Sequence, residues 1–376
     1  MHLFLIDLFI SIDTLSPLIY LQKKKSIICN INPIQNHKKN YLISLLIDNG
    51  SKYKNFLPLN NTKIVFFFFI KILTKFPCIF QKFLYNFYHY IYNQTCFFSE
   101  KEIERFLLEN QIKSITYEES SPKLYISKIA KCAKKLKIIL IKVSSGHIYP
   151  FKIHNKTYHL NTDFCNFILL SNNYWRFNKN FSKKKIKFYN AIRYSDFWLS
   201  FIKKKLFIKK IKKNKSFVVF FQKFYSGDND KVNNVIFKIK KNNKYEVLTR
   251  EKPRELLPLG CNKYENDKFS SSQVIDLSKY IITSRSSSIL LEAIKRKKQI
   301  IFLKYLNNKL HESPFYKLKA IHKANNENEI LEIIEKKGKL NVIDYKDYDN
   351  FLKKYLKFYK KEPALISEIK KFYRSF

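Results

Sequence analysis

The sequence IITSRSSSILLEAIKRKKQIIFL, residues 281–303, decides the fold of this chain. Apolar residues lead up to Ile282, a polar turn with three serines follows, and apolar residues then recur at helical spacing before a second apolar run at 300–303. This order predicts a strand, a turn, a helix and a strand, which together form one βαβ unit. The predicted helix begins directly after the serines and carries Glu292 about one turn inside it.

The serine turn has two interpretations on local pattern alone. A helix start offers unpaired backbone N–H groups and the positive end of the helix dipole, and hydroxyls add donors, so Ser286, Ser287 and Ser288 suit a phosphate. Serine is also a preferred N-cap, so the same residues fit a simple helix cap. Arg285 is a possible added cation, and Glu292 fits either a binding role or an exposed helix carboxylate.

The rest of the chain repeats the alternation of strands and helices. In the first half, strands are predicted at 2–6, 26–30, 113–117 and 138–143. A first helix is predicted to begin at Thr14, with Pro17 near its first turn, and further helices are predicted at 40–46, 64–92, 99–110 and 124–135. In the second half, strands are predicted at 216–221, 245–249 and 340–343, and helices at 232–241, 327–337, 348–359 and 364–373. Residues 150–215 are irregular and basic, so we place a boundary near 209–215. Strands that alternate with helices form a mainly parallel sheet, so the fold class is α/β with two successive domains.

The charge of the chain points first to a polyanionic partner. There are 72 Lys and Arg against 30 Asp and Glu, a formal charge of +42, which is typical of proteins that bind nucleic acid or anionic membranes. The chain also has 35 Phe and 25 Tyr but only 5 Gly and 1 Met, and AT-rich codons would enrich Lys together with these residues. We therefore favour a solvated, lysine-rich surface and expect no nucleic acid. A basic nucleic-acid-binding or scaffold protein remains an alternative, with residues 177–205 as its surface.

Three features of the sequence indicate the cellular compartment of the protein and its contact with membranes. The six cysteines lie far apart and form no CxxC pair, as in a cytosolic protein with reduced thiols rather than in a disulfide or zinc protein. Asp7 and Asp13 interrupt the apolar N-terminus, which does not fit a signal peptide. Residues 64–92 are aromatic but broken by lysines, which fits a helix lying on an anionic bilayer better than a span. We expect a cytoplasmic protein with possible peripheral contact at the inner face of the plasma membrane.

The layout of these elements resembles that of GT-B glycosyltransferases of surface-polysaccharide biosynthesis. Capsule biosynthesis proteins, glycerophosphate transferases of the teichoic-acid type and UDP-N-acetylglucosamine 2-epimerases are the nearest kin, and only residues 276–303 carry a specific likeness. The resemblance implies a Rossmann-like acceptor-side domain at 1–210, a Rossmann-like donor domain at 211–345, and C-terminal helices at 346–376 that pack back on the first domain. It implies transfer of a sugar or polyol phosphate from a nucleotide sugar or CDP-polyol to a glycan or lipid-linked acceptor, with no cofactor and no metal.

The resemblance also implies roles on the donor side. The serine turn would hold the donor phosphates, with donors placed to stabilise the charge of the leaving nucleoside phosphate, and Glu292 would take the ribose hydroxyls. Arg250 and Lys252 follow the strand at 245–249, where related enzymes commonly have His-Pro. A lysine can meet a phosphate as a point charge, but it cannot replace histidine in acid–base chemistry near neutral pH.

The catalytic base is left open between several residues. An inverting transferase needs a carboxylate or imidazole that accepts the proton of the acceptor hydroxyl. The candidates are Asp13, in the loop after the first predicted strand, and His147, after the strand at 138–143, with Glu118 and Glu119 as further carboxylates. Asp13 also fits a helix cap, and His147 an ordinary turn residue, since relatives have His-Gly where this chain has the reverse order.

Other enzyme classes find less support. No Walker loop, HExxH, GxGxxG or nucleophile elbow occurs in the sequence, so kinase, metalloprotease, dehydrogenase and α/β-hydrolase chemistry lack their motifs. A 2-epimerase acting on a nucleotide sugar would keep the fold and dispense with the acceptor. That reaction needs acid–base residues on both faces of the sugar ring, and the histidine expected after the second-domain strand is missing.

Overall fold

The structure, a computed structural model, describes residues 1–7, 9–31, 37–55, 98–119, 121, 123–144, 159–160, 164–170, 176–177, 185–189, 192–206, 216–221, 229–241, 245–250, 271–284, 289–306, 313–335, 345–355 and 362–376. Within these residues the chain forms two parallel β-sheets flanked by helices, so the predicted α/β fold is confirmed. The helix predicted at 64–92, the strand predicted at 340–343 and the boundary predicted at 209–215 lie outside the described residues.

The first sheet has seven strands, all parallel to their neighbours. Its half of the chain contains β1 His2–Ile6, β2 Ser26–Asn30, β3 Lys52–Asn55, β4 Ser114–Glu118, β5 Ile139–Val143, β6 His159–Leu160, β7 Phe167–Leu170, β8 Arg176–Phe177 and β9 Ile186–Phe188, with helices α1 Phe9–Gln22, α2 Tyr41–Asp48, α3 Glu100–Glu109, α4 Lys123–Lys135 and α5 Asp196–Leu206. The strand order is β3-β2-β1-β4-β5-β7-β9, and β6 and β8 form a separate pair. The order reverses between β1 and β4, as in Rossmann-like sheets.

The second sheet has five parallel strands. Its elements are β10 Ser216–Phe221, β11 Tyr245–Arg250, β12 Ser278–Thr283, β13 Gln299–Leu303 and β14 His322–Ala324, with helices α6 Asn229–Lys241, α7 Ser271–Leu277, α8 Ile289–Lys295, α9 Glu327–Glu335, α10 Tyr345–Tyr355 and α11 Glu362–Arg374. The order is β11-β10-β12-β13-β14, with its reversal between β10 and β12. Ligands of such sheets bind beyond the carboxyl ends of the strands at the reversal, and the serine turn follows β12.

The two C-terminal helices divide between the halves. The sequence predicts that both pack back on the first half, but α10 packs on the second, where Tyr348 and Phe351 join the core and the Tyr348 hydroxyl donates to the Lys298 carbonyl at 3.2 Å. Helix α11 does cross back. Its fully buried Tyr373 lies 3.0 Å from the Thr116 hydroxyl of β4 and contacts the His2 ring edge-on. The apolar stripe of each helix covers a different sheet, which the periodicity alone does not reveal.

Residues 192–206 connect the two halves and are more regular than the sequence predicts. The sequence pattern predicts an irregular region here, but a 3-10 turn at Ile192–Tyr194 leads into α5. Trp198, which is fully buried, packs in the core of the first half together with Ile192, whereas Tyr194 packs in the core of the second. The connector is therefore held by both cores at once.

Helix α1 begins earlier than predicted. It starts at Phe9 and contains Pro17 in its interior, so Asp13 lies within the helix and neither in a loop nor at a cap. A proline favours the first turn of a helix, which places the predicted start at Thr14. Inside a helix, Pro17 has no N–H to donate to the carbonyl four residues earlier, which is that of Asp13. The Ser16 hydroxyl donates to the Ile12 carbonyl at 2.5 Å, and the helix continues through Pro17 to Gln22.

Several helix ends follow from the shortage of glycine. Helices often end on a residue in the left-handed region, usually glycine, and this chain has only 5. Gln111, Lys137 and Lys297 take that conformation instead, with φ of 49°, 54° and 54°. Helix α3 starts as predicted with a capping box between Ser99 and Glu102. No helix within the described residues is long and apolar enough to cross a membrane.

Candidate functional site

The candidate site lies where α1, the connector and α8 meet. Asp13 of α1 is 3% exposed and Arg193 of the connector is 8% exposed. The Arg193 Nη2 atom lies 3.9 Å from Asp13 Oδ2 and 3.8 Å from Glu292 Oε2. One guanidinium thus stands between a carboxylate of the first half and a carboxylate of the second.

Glu292 is fully buried on α8, with 0% of its surface exposed. Its Oε2 accepts a hydrogen bond from the Ser272 hydroxyl at 2.8 Å, and its Oε1 accepts one from Arg296 Nε at 3.1 Å. The alternative that Glu292 is an exposed helix carboxylate is therefore wrong. In this conformation no surface of the side chain is open to a ribose either.

Arg296 extends the cluster toward α7. Its Nη1 atom donates to Asp276 Oδ1 at 2.5 Å, and the pair is almost completely buried. The Lys298 amine donates to the Asp276 carbonyl at 2.7 Å, and burial lowers the pKa of Lys298 to about 8. Arg296 therefore ties α8 to α7 through two carboxylates.

The cluster brings several buried charges together. Its members are three carboxylates and two guanidinium groups, contributed by Asp13, Glu292, Asp276, Arg193 and Arg296, with the Lys298 amine beside Asp276. Asp13 Oδ1 is buried and has no hydrogen-bond partner among the described residues. A buried carboxylate oxygen without a partner is costly, and a proton or a donor hydroxyl from a ligand would relieve that cost.

The pKa of Glu292 is raised by its burial. The nearby Asp13 carboxylate acts in the same direction, whereas Arg296, Arg193 and the Ser272 hydrogen bond lower the pKa and do not outweigh burial. The folded state therefore holds the Glu292 proton more tightly than the unfolded chain does.

This raised pKa predicts a pH dependence of stability. A carboxyl group with a raised folded pKa contributes stability that is fully present below its unfolded value, and that contribution is lost as pH rises through the folded pKa. We expect the stability of the wild type relative to Glu292→Gln to fall as pH rises above the ordinary glutamate range, measured by urea unfolding from about pH 4 to about pH 8. Glu109→Gln, which removes an exposed carboxylate, is the control. A difference that is flat or grows with pH would contradict the assignment.

A shallow depression lies at the carboxyl ends of β5 and β7, and Thr14 and Arg193 are among the residues that line it. Its cavity volume is about 50 Å³, and its walls combine aliphatic side chains with four hydroxyl groups and Arg193. Ser144 follows β5 and Thr14 follows Asp13 on α1. Apolar walls with a few polar groups are typical of small-molecule sites.

The structure describes only part of the predicted site. It brings Asp13 and Glu292 together, and it ends β11 at Arg250. Residues 285–288, Lys252 and His147 lie outside the described residues, so their roles remain predictions. Glu118 ends β4 and is buried, and the backbone N–H of Glu119 donates to the Val143 carbonyl at 2.9 Å. No cluster of three or more His, Cys, Asp or Glu that could hold a metal occurs within the described part of the chain.

Sequence reasoning missed the cations of the site. The spacing of Glu292 and Arg296, four residues apart on a helix, is a signal that could have suggested their pairing. No local pattern singles out Arg193, which is one basic residue among 72. Its importance comes from where the connector places it.

Comparisons with known proteins support the fold. No protein-family profile matches the chain, and no curated protein sequence matches it. Among solved structures, UDP-N-acetylglucosamine 2-epimerase from Rickettsia bellii is similar over 100% of this chain and 95% of its own, with a TM-score of 0.52 and 12% identity. UDP-GlcNAc 2-epimerase from Neisseria meningitidis bound to UDP-GlcNAc covers 100% and 98% with a TM-score of 0.48 and 11% identity. The calicheamicin glycosyltransferase CalG4 covers 95% and 94% with a TM-score of 0.46 and 10% identity. The Rickettsia bellii structure is named as one of the enzyme kinds in the suspected resemblance, and at 12% identity the similarity is one of fold.

Proposed function

We propose that this protein transfers a sugar or polyol-phosphate unit from a nucleotide-activated donor to an acceptor hydroxyl. The observation that carries the proposal is the buried cluster in which Arg193 lies between Asp13 of the first half and Glu292 of the second. A group transfer between two substrates needs one site assembled from two binding surfaces, and the cluster lies where the two halves meet. The GT-B-like fold supports the same reaction class.

The donor is proposed to bind at the turn between β12 and α8. The reversal of strand order beside β12 makes this turn a favoured ligand position. Ser286, Ser287 and Ser288, with Arg285, would donate to the donor phosphates and stabilise the charge of the leaving group. Because Glu292 is fully buried and already hydrogen-bonded, we assign it to holding α8 in place under this turn rather than to contacting the ribose.

Asp13 is proposed as the base on the acceptor side. In this step, the acceptor oxygen forms a bond to the transferred carbon or phosphorus, the bond from that atom to the leaving nucleotide phosphate breaks, and the acceptor proton moves to Asp13. The buried Oδ1 atom, which has no hydrogen-bond partner among the described residues, supplies the accepting oxygen. The depression lined by Thr14 and Arg193 opens to solvent and is the proposed path by which the acceptor hydroxyl approaches.

A nucleotide panel tests the donor half of the proposal. UDP, CDP and their sugar or polyol conjugates should raise the thermal midpoint, because a ligand that binds only the native state at 100 times its Kd stabilises it by about 2.7 kcal/mol. Ser287→Ala should weaken the effect, and Ser127→Ala, on α4 of the first half, should not. If no uridine or cytidine nucleotide raises the midpoint, the proposal loses its basis.

A 2-epimerase is the second candidate, because a structure named as a UDP-N-acetylglucosamine 2-epimerase shares the fold at a TM-score of 0.52. Incubation with UDP-N-acetylglucosamine alone separates the two reactions. An epimerase should give an epimerised or released sugar without any acceptor, whereas a transferase should leave the donor unchanged until an acceptor hydroxyl is added.

The acceptor is proposed to be a glycan or lipid-linked glycan of the cell envelope, and peripheral contact with an anionic membrane would bring the enzyme to it. The sequence of residues 64–92, in which lysines interrupt an aromatic run, favours such contact. Cosedimentation with vesicles containing anionic lipid, compared with neutral vesicles, checks this part, and equal recovery in the supernatant of both would argue against it.

A further inference from the structure

The Nη2 atom of Arg193 lies between two carboxylates. Nη2 lies at almost equal distances, 3.9 Å and 3.8 Å, from carboxylate oxygens of Asp13 and Glu292. Both distances exceed that of a hydrogen bond, so the contact is an attraction between charges. The three side chains are at least nine-tenths buried, where water and salt screen such attraction much less than at the surface.

The position of Arg193 is fixed from both sides. Ile192 before it belongs to the core of the first half, and Tyr194 after it belongs to the core of the second. The Arg193 guanidinium carbon also lies 5.5 Å from the centre of the Tyr194 ring, within the range of a cation–π contact. A change in the relative position of the two cores must therefore move the Arg193 guanidinium.

We propose that Arg193 is a positioning residue that couples Asp13 to the donor-side helix α8. The proposal rests on the proposed function, because it assigns the coupling to the acceptor and donor sides of one site. With Arg193 in place, the carboxylates of Asp13 and Glu292 are attracted to the same guanidinium group. Without it, two buried carboxylates face each other and repel, so Asp13 loses its defined position.

The coupling can be measured without any substrate. Asp13→Asn, Glu292→Gln and the double variant are made with Arg193 and with Arg193→Met, and thermal midpoints are compared as double-mutant cycles. We expect the non-additive part of the midpoint shifts caused by Asp13→Asn and Glu292→Gln to differ between the Arg193 and Arg193→Met backgrounds. In the Arg193→Met background its sign should show net repulsion between the two carboxylates. The same non-additive shift in both backgrounds overturns the proposal.

A conservative variant guards against misfolding of the Met variant. Arg193→Lys keeps the charge, and because the attraction acts without a formed hydrogen bond, it should retain most of the coupling. A Lys variant that behaves like the Met variant overturns the charge argument. Lys295→Gln is the matched control, because Lys295 pairs with Asp196 of the connector at 2.9 Å but does not touch Asp13, and it should leave the coupling unchanged.

Turnover adds a second readout. Arg193→Met should lower kcat for donor consumption while leaving the donor KM within about twofold, and Arg193→Lys should restore part of the loss. A change in KM alone overturns the positioning role. The two proposals fail separately: a negative nucleotide panel removes the transferase function and leaves the measured coupling standing, whereas a coupling that ignores Arg193 removes this inference and leaves nucleotide binding untouched.

Discussion

Replacing Arg296 by methionine is expected to lower the free energy of unfolding by about 3–5 kcal/mol, because removing one partner of a buried ion pair leaves uncompensated charge inside the protein. Arg296 is the partner of two carboxylates, Glu292 at 3.1 Å and Asp276 at 2.5 Å. Methionine fills a similar volume and supplies no donor, so both carboxylates would lose their closest cation. Urea unfolding followed by circular dichroism measures the change.

Two further variants separate charge from packing in this prediction. Lys295→Gln breaks the ion pair with Asp196, whose carboxylate is 71% exposed, and such pairs contribute only about 0–1 kcal/mol. Adding Asp276→Asn and Glu292→Gln to Arg296→Met should recover part of the loss, because the buried charges are then gone. If Arg296→Met costs no more than Lys295→Gln, the cluster does not stabilise α8 as described.

The βαβ units were predictable because both faces of each sheet are covered. The strand at 216–221 and the helix at 99–110 follow from runs of apolar residues and from the Ser99 capping box, and such signals are local. A parallel strand that is buried on both sides is usually a nearly continuous run of apolar residues. The order of strands and helices along the chain then defines the fold class with no knowledge of contacts between distant residues.

The failures of prediction have a different origin. The start of α1 was misplaced because Pro17 has the same local appearance in a first turn and in a kinked interior. The connector was missed because its turn and helix are stabilised by contacts with two separate cores, and a lysine-rich background hides the importance of Arg193. Long-range pairs of this kind depend on packing between halves, which no window of sequence contains.

The serine turn at 285–288 keeps its proposed role, but the structure changes the role proposed for Glu292. The resemblance assigns this carboxylate to the ribose hydroxyls of the donor, whereas the local sequence leaves its role open. Its complete burial, with bonds to Ser272 and Arg296, instead links α8 to α7 and, through Arg193, to Asp13 of the first half. Donor binding at residues 285–288 would then affect the position of Asp13. Helix α8 follows these residues directly and carries the Glu292 carboxylate that Arg193 contacts.

Asp13→Asn should lower turnover with donor and acceptor by about 10²–10⁴-fold, the range that general acid–base catalysis contributes. Asparagine has almost the same shape as aspartate, but it cannot accept the acceptor proton, and it loses its charge attraction to Arg193. Because the donor is proposed to bind at the other half of the site, the shift of the thermal midpoint by nucleotide should stay the same. Initial rates of nucleotide release, measured together with nucleotide binding, check both parts.

The pattern of effects distinguishes a base from a structural carboxylate. A base should give a pH profile of kcat/KM whose acidic limb disappears in Asp13→Asn, whereas loss of a purely structural group would lower the rate equally at every pH. Asp48→Asn, at an exposed carboxylate of the same half, is the control and should retain full turnover. If Asp13→Asn keeps turnover within about threefold of wild type, the proton goes to another group, and His147, the other candidate base from the sequence, becomes the residue to replace.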